Sequence, residues 1–251
     1  MNKTDTRKFH LKPFSLSHHR STMKVGTDAI LLGLWAPSPQ AGKVLDVGTG
    51  CGIISLLIAS RCQAIIDAIE LDPESAAEAA ENFRNTPFSY RMRAIEKDFS
   101  AFAKSYSGKY DLIISNPPFF ISDLPPEDEK KKKARHHITL TFKQLIAGTA
   151  GLLSNDGKLC VVLPYDKSEG FTGIARQYDL HPQKQQLIFP FRGSQPNRIN
   201  LCLGFRKPEK PDTEKFIIRE ENKKFSKQYI EFLKDYYIGL GRLSRPEGRG
   251  N

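Results

Sequence analysis

No run of apolar residues in these 251 is long enough to cross a bilayer, which excludes a transmembrane helix among them. The opening residues Met1-Asn2-Lys3-Thr4-Asp5 are polar, with no apolar stretch behind their charges, and do not read as a signal peptide. Cysteine is scarce: Cys51, Cys62, Cys160 and Cys202 lack the paired spacing of a metal site and sit mostly in strand-like or helix-like stretches. That pattern reads as reduced structural thiols in a cytosolic protein. The neighbours His136 and His137 have no second cluster to complete a coordination shell, so no metal is expected. An internal repeat is also missing, which excludes a duplicated chain. What is present, 39% hydrophobic and 10% aromatic residues, is too rich for a disordered chain even with 26% charged residues.

Charge is unbalanced. A net charge of +10 and a pI near 9.4 suggest a polyanionic partner. The excess is local: residues 1–26 carry Lys3, Arg7, Lys8, Lys12, Arg20 and Lys24 against Asp5 alone. A second basic run, Lys130 to Lys133 with Arg135, follows three acidic residues, Glu127 to Glu129, and residues 206–251 hold twelve basic against eight acidic residues. The first two segments are read as RNA contacts, which predicts salt-sensitive binding. A solvated surface is the competing reading for the Lys130 run.

Two motifs carry chemistry. Lys43-Val44-Leu45-Asp46-Val47 is an apolar strand that breaks into Gly48-Thr49-Gly50-Cys51-Gly52 and then into a helical pattern, a nucleotide-binding strand-turn-helix. Its third glycine comes one residue too early for a dinucleotide fingerprint, which argues against NAD. The turn instead lets backbone approach a compact zwitterion, with Asp46 fixing its amino acid part directly or through water. Glu70 ends the next apolar run, where a carboxylate can accept from both hydroxyls of a ribose. The second motif, Asn116-Pro117-Pro118-Phe119, closes the strand-like run Tyr110 to Ser115. An Asn carboxamide oxygen and the carbonyl of the next residue can both accept from one exocyclic amine. They would stabilise the positive charge that grows on nitrogen as it attacks a methyl donor. The prolines stiffen the loop, and Phe119 offers a stacking face.

These residues resemble the class I S-adenosylmethionine-dependent methyltransferases, with NPPF in the place of their amino-methylating motif. Phe14-Ser15-Leu16 through Met23-Lys24-Val25-Gly26-Thr27-Asp28 to Gly33 is similar to the opening of the bacterial tRNA1(Val) adenine N6-methyltransferases, and the likeness runs over nearly the whole chain. The resemblance implies a Rossmann-like α/β fold, a mostly parallel seven-stranded sheet with a closing antiparallel hairpin and helices on both faces. It implies S-adenosyl-L-methionine as cofactor, held by Lys24, Thr27, Asp46, Gly48, Gly50, Glu70, Asp98, Phe99 and Asn116. Asn116, Pro117 and Phe119 would be catalytic, with Phe119, Phe120, Lys130, Lys131, Arg135 and Arg198 toward RNA. The implied partner is tRNA, in particular tRNA1(Val), whose adenine beside the anticodon would be methylated in the cytoplasm. No membrane and no obligate protein partner are expected.

Apolar periodicity gives alternating strands and helices. A helix capped by Thr27 or Asp28 runs to Trp35, and strands fall at Val44 to Val47, Ile65 to Ile69, Tyr90 to Ile95 and Leu112 to Ser115. A helix runs from Pro73 to Arg84. After the catalytic loop come a helix from Thr139 to Leu153, a strand from Lys158 to Leu163, and two strands, Gln185 to Phe191 and Asn200 to Phe205. A charged strand at Lys215 to Arg219, a helix from Ser226 to Tyr237 and a mobile Gly-rich tail follow. The expected division is a basic segment 1–26, a catalytic domain 27–206 and a basic extension 207–251.

Three other functions fit parts of this pattern. Release-factor glutamine methyltransferases use a related NPP motif, but theirs usually ends in Tyr and a separate helical domain precedes their glycine turn, whereas 42 residues precede Lys43 here. Ribosomal RNA guanine N2-methyltransferases can carry NPPF, commonly in duplicated chains. A noncatalytic RNA-binding module would have no need of Asp46, Glu70 and Asn116.

Overall fold

The computed structural model describes residues 8–39, 42–117 and 140–239. Its centre is a sheet whose inner strands alternate between two cores. Val44 faces one and Leu45 and Val47 the other; Leu112 and Ile114 oppose Ile113; Cys160 and Val162 oppose Leu159, Val161 and Leu163. This period of two is what a strand covered on both faces requires.

In chain order the strands are β1 (Lys8–His10), β2 (Ser15–Ser17), β3 (Lys43–Val47), β4 (Ile65–Glu70), β5 (Met92–Glu96), β6 (Tyr110–Ser115), β7 (Leu153–Pro164), β8 (His181–Phe191), β9 (Arg198–Gly204) and β10 (Asp212–Arg219). β1 and β2 form a small antiparallel pair, and the other eight lie in the order β10-β8-β9-β7-β6-β3-β4-β5. β9 is antiparallel to both neighbours, and every other pairing in this sheet is parallel. The closing hairpin is therefore present, but the sheet has eight strands where seven were expected. The charged segment Asp212–Arg219 joins its edge because Phe216 is buried in the core and Ile218 packs against it, while Asp212, Thr213 and Lys215 stay exposed. Residues 240–251, expected as a mobile tail, lie outside the described residues.

Helices α1 (Thr27–Trp35), α2 (Ile53–Ala59) and α3 (Pro73–Arg84) cover one face, while α4 (Phe99–Ser105), α5 (Phe142–Leu152) and α6 (Ser168–Arg176) cover the other; α7 (Lys227–Leu233) packs on β10. α1 is buried nearly all round and lies so close to α2 that a Cβ on Gly33 would stand 2.9 Å from Leu57 Cδ1. Its N-cap is Gly26, with no side-chain cap, so neither Thr27 nor Asp28 has the expected capping role. At its other end the Arg61 guanidinium donates to the carbonyls of Gly33, Leu34 and Ala36, each at 2.6 Å, a cation where the helix dipole favours one. α4 and α6 were not foreseen. α4 is two turns long, and α6 carries Gly170 and Gly173, so neither gives a strong helical signal.

α3 also holds the basic N-terminal segment. Glu78, fully buried, accepts from the backbone N–H of His19 at 3.0 Å, Arg20 at 3.1 Å and Ser21 at 2.8 Å, and from the Ser21 hydroxyl. Asn82 accepts from Ser17 N–H and donates to the Ser17 and Cys51 carbonyls, each at 2.8 Å, which ties the segment to the glycine turn. Burial pushes the Glu78 pKa up, but the hydrogen bonds from Ser21, Arg20 and His19 override it and leave the carboxyl below its ordinary 4.5. A carboxyl with a depressed folded-state pKa contributes stability above its unfolded value, and that contribution is lost as pH falls through the folded value. Glu78→Gln is therefore expected to cost about 2 kcal/mol at neutral pH, because one charged acceptor of several N–H groups is lost. In urea denaturation the gap between parent and variant should close as pH drops below the carboxylate range.

Candidate active site

The site is built at the carboxyl ends of β3, β4, β5 and β6. Val47 lies in register with Ile69 on one side and Ser115 on the other, so the residues after these positions leave the sheet side by side. The glycine turn folds back over β4: Gly48 and Thr49 donate to the Ile69 carbonyl at 2.9 and 3.0 Å, and Gly50 N–H donates to Glu70 Oε2 at 2.8 Å. Gly48 and Gly50 have φ of 71° and 55°, which glycine adopts without strain, and an added Cβ on either would meet nothing within 4 Å. The space beside them is a cleft of about 680 Å³ whose walls include Lys24, Thr27, Gly48, Gly50, Glu70, Asp98, Phe99, Asn116 and Pro117. Nine of the residues expected from sequence thus meet around one cavity, of a size suited to a nucleoside-bearing ligand.

Asp46 is placed differently. It is fully buried behind the turn rather than on the cleft wall. Its Oδ2 accepts from Thr49 Oγ1 and Ser55 Oγ, both at 2.7 Å, and from Ser55 N–H at 3.2 Å, so it braces the turn against α2. Its Oδ1 is buried without a hydrogen-bond partner among the described residues. Burial raises the Asp46 pKa to about 6, against the pull of the Thr49 and Ser55 hydrogen bonds. In this geometry Asp46 supports the turn through Oδ2 and places a negative charge behind it.

Glu70 also has a second task. Besides Gly50 it accepts through Oε1 from Leu71 N–H at 2.9 Å and Asp72 N–H at 3.0 Å, which fixes the carboxylate at the cleft. Asp98 caps α4 by accepting from Ala101 N–H at 2.8 Å, and Lys97 N–H donates to the Glu70 carbonyl at 2.9 Å, placing β4 and β5 ends together. Phe99 is almost buried, its ring held so close to α5 that a Cβ on Gly148 would lie 2.6 Å from it.

On the acceptor side, Ser115 Oγ donates to the Val47 carbonyl at 2.8 Å and locks β6 to β3 just before Asn116. The Asn116 carboxamide oxygen is buried and has no hydrogen-bond partner among the described residues. A buried acceptor left open costs free energy unless a ligand fills it. Pro118, Phe119, Phe120, Lys130, Lys131 and Arg135 lie outside the described residues. Arg198 is not on the cleft wall; its Nε donates to Asp28 Oδ2 at 2.8 Å, and Asp28 is on that wall.

Sequence reasoning missed Asp28, Met23 and Lys97 on the wall, and Glu78 and Asn82 beneath the N-terminal segment. A signal for the last two was present: Ser75, Glu78 and Asn82 fall on the buried stripe of α3, where apolar residues are the rule. Among the described residues there is no cluster of His, Cys, Asp or Glu suited to a metal, no helix long and apolar enough to cross a membrane, and all four cysteines are free and buried.

The residues present fit an S-adenosylmethionine site: a glycine cradle open to the cleft, the acids Glu70 and Asp98 on its wall, and the Asn116 carboxamide oxygen, which has no partner among the described residues. Comparison with known proteins agrees. Residues 17–169 match the family model of the methyltransferase small domain. A Bacteroides fragilis protein named tRNA1(Val) (adenine(37)-N6)-methyltransferase is 36% identical over 233 residues, 92% of this chain and 98% of its own. One of the same name from Parabacteroides distasonis is 36% identical with the same coverage. Among solved structures, an Agrobacterium tumefaciens protein assigned as an O-methyltransferase superposes with a TM-score of 0.64 at 18% identity, covering 83% of this chain and 96% of that one, a likeness of fold.

Two outcomes are expected. Glu70→Ala should weaken S-adenosylmethionine binding about tenfold or more in calorimetry, because it removes a charged acceptor and frees the turn. Affinity for this cationic cofactor should also fall as pH drops through about 6 and Asp46 becomes neutral, and Asp46→Asn should flatten that profile.

Proposed function

The chain belongs to the methyltransferase small-domain family, among the tRNA1(Val) (adenine(37)-N6)-methyltransferases, and from that premise we propose that it methylates N6 of adenine 37 in tRNA1(Val). The observation that carries the chemistry is the Asn116 carboxamide oxygen, buried at the cleft and unpartnered among the described residues. Adenine N6 is a weak nucleophile because its lone pair is delocalised into the ring. An acceptor fixed in advance at Asn116 Oδ1, with the Pro117 carbonyl as the second, takes one N–H each and turns the amine toward the cofactor side of the cleft. Positive charge that develops on nitrogen during attack then meets two oxygen dipoles that need no reorganisation.

S-adenosylmethionine supplies an electrophilic methyl group when bound. The protein's part is placement: the Ser115 to Val47 hydrogen bond and the rigid Pro117 hold the acceptors, and the glycine turn with Glu70 holds the donor side. The C–S bond to the donor methyl breaks as the N–C bond forms, leaving a neutral thioether, and the methylated amine is then acidic enough to give its proton to water without a strong base. In this proposal Phe119 and Phe120 receive the flipped base by stacking, and the basic residues Lys130, Lys131 and Arg135 meet phosphates.

The guanine-N2 and glutamine-N5 readings have less support, since the relatives compared above align over 98% of their own length and bear the adenine-N6 name. Asn116→Ala is expected to lower kcat by about a hundredfold or more, the scale of losing one preorganised acceptor, with cofactor affinity kept. The assay is methyl transfer from labelled S-adenosylmethionine to unmodified tRNA1(Val), with ribosomal RNA and a release factor in parallel, followed by nucleoside analysis. N6-methyladenosine beside the anticodon supports the proposal; label in guanine or glutamine overturns it.

A further inference from the structure

Beyond Asn116 the sheet continues through β7, β9, β8 and β10, four strand spacings or about 19 Å. Parallel pairing of β7 with β6 and of β10 with β8, with β9 antiparallel between β7 and β8, brings the ends of β7, β8 and β10 to the same edge as Asn116. That edge changes sign along its length. The cofactor half, at residues 70–73 and 96–98, has four acids and one cation. The far half, at residues 164–168, 191–198 and 219–225, has six cations and three acids.

Aromatic surface accompanies the cations. Tyr165 and Phe191, 42% and 41% exposed, are two of the large apolar residues left open to solvent, and both sit on this far half. The backbone around them is fixed in advance. Tyr165 N–H donates to the Asn197 carbonyl at 3.2 Å, next to Arg198, and Arg192 N–H donates to the Arg219 carbonyl at 2.8 Å. Arg192 pairs with Glu220, and the Arg219 guanidinium lies 4.1 Å from the Phe225 ring centroid while donating to the Lys223 carbonyl at 2.7 Å. At the tip of this turn Lys223 has a φ of 65°, costly for a residue with a side chain. Lys223 and Lys224 have no ion-pair partner among the described residues.

We propose that this far half is the track for the RNA strand flanking the target adenine, with Tyr165 and Phe191 as stacking faces for bases and Lys223 and Lys224 as phosphate contacts. The inference rests on the function proposed above and names how the same site grips its polymer. Exposed aromatics interleaved with cations suit single-stranded or loop RNA, because every base has a face to stack and every nucleotide a phosphate to neutralise. The added strand β10 acquires a purpose here, since it carries the Lys223 turn to the catalytic edge.

The test measures binding apart from methyl transfer. A fluorescein-labelled, unmodified tRNA1(Val) transcript is titrated with the full chain by anisotropy across about 50 to 300 mM KCl. Tyr165→Ala with Phe191→Ala should raise Kd about tenfold or more. Lys223→Ala with Lys224→Ala should lower the steepness of log K against log salt by about 1 to 2, as expected for two lost phosphate contacts. Affinity for S-adenosylmethionine should match the parent in both variants, which shows that each is folded. Parental Kd and salt slope in both variants overturn the track, even where the parent methylates the tRNA. Tight, variant-sensitive binding by a parent that methylates no tRNA supports the track and sinks the function; a parent that binds no RNA at about 50 mM KCl overturns both.

Discussion

The register of β3 between β4 and β6 is the constraint on which the site depends. Val47 pairs with Ile69 and Ser115 at one level of the sheet, so the glycine turn, Glu70 and Asn116 emerge within one or two strand spacings of each other. A slip of one residue in either pairing would exchange the two cores and turn Leu45 or Ile113 to the wrong face. The burial of these strands thus protects the geometry of the cleft. Ser115 Oγ on the Val47 carbonyl and Gly50 N–H on Glu70 add polar pins at the point where the backbone leaves the sheet.

Electrostatics divides the work along that edge. Asp46 lies behind the turn, raised to about 6 by burial, and Glu70 and Asp98 line the cleft, so a cationic cofactor meets fixed negative charge. An acid with a raised folded-state pKa weighs against the folded state as pH rises from its ordinary 3.8 through that value. A bound cation relieves that cost. Farther along, the excess turns positive where a polyanion would approach. The N-terminal segment follows the same logic: Glu78 neutralises backbone dipoles at residues 19–21 and thereby sets Met23 and Lys24 on the cleft wall.

Much of the fold was legible because its core strands are short apolar runs bounded by glycine, proline or charge. β3, β4 and β6 fall where the periodicity puts them, and the glycine turn, Glu70, Asp98 and Asn116 converge as the strand ends require. The misses share a cause. α4, α6 and the β1-β2 pair are too short or too weakly patterned to register locally, and although the charged strand expected at Lys215 to Arg219 is present as β10, its place in the central sheet rests on Phe216 and on pairing with β8 rather than on a local pattern.

The sequence by itself determined the chemistry: which residues can cradle a nucleoside, accept an amine and carry positive charge, since these are properties of residue types and short spacings. Only the tertiary structure decided their partners. It set Asp46 as a brace behind the turn, tied Arg198 to Asp28, and recruited Glu78 and Asn82 to hold a segment about 60 residues away in sequence. Strand order, and with it the sign of charge along the catalytic edge, arises from long-range pairing, which no local pattern encodes.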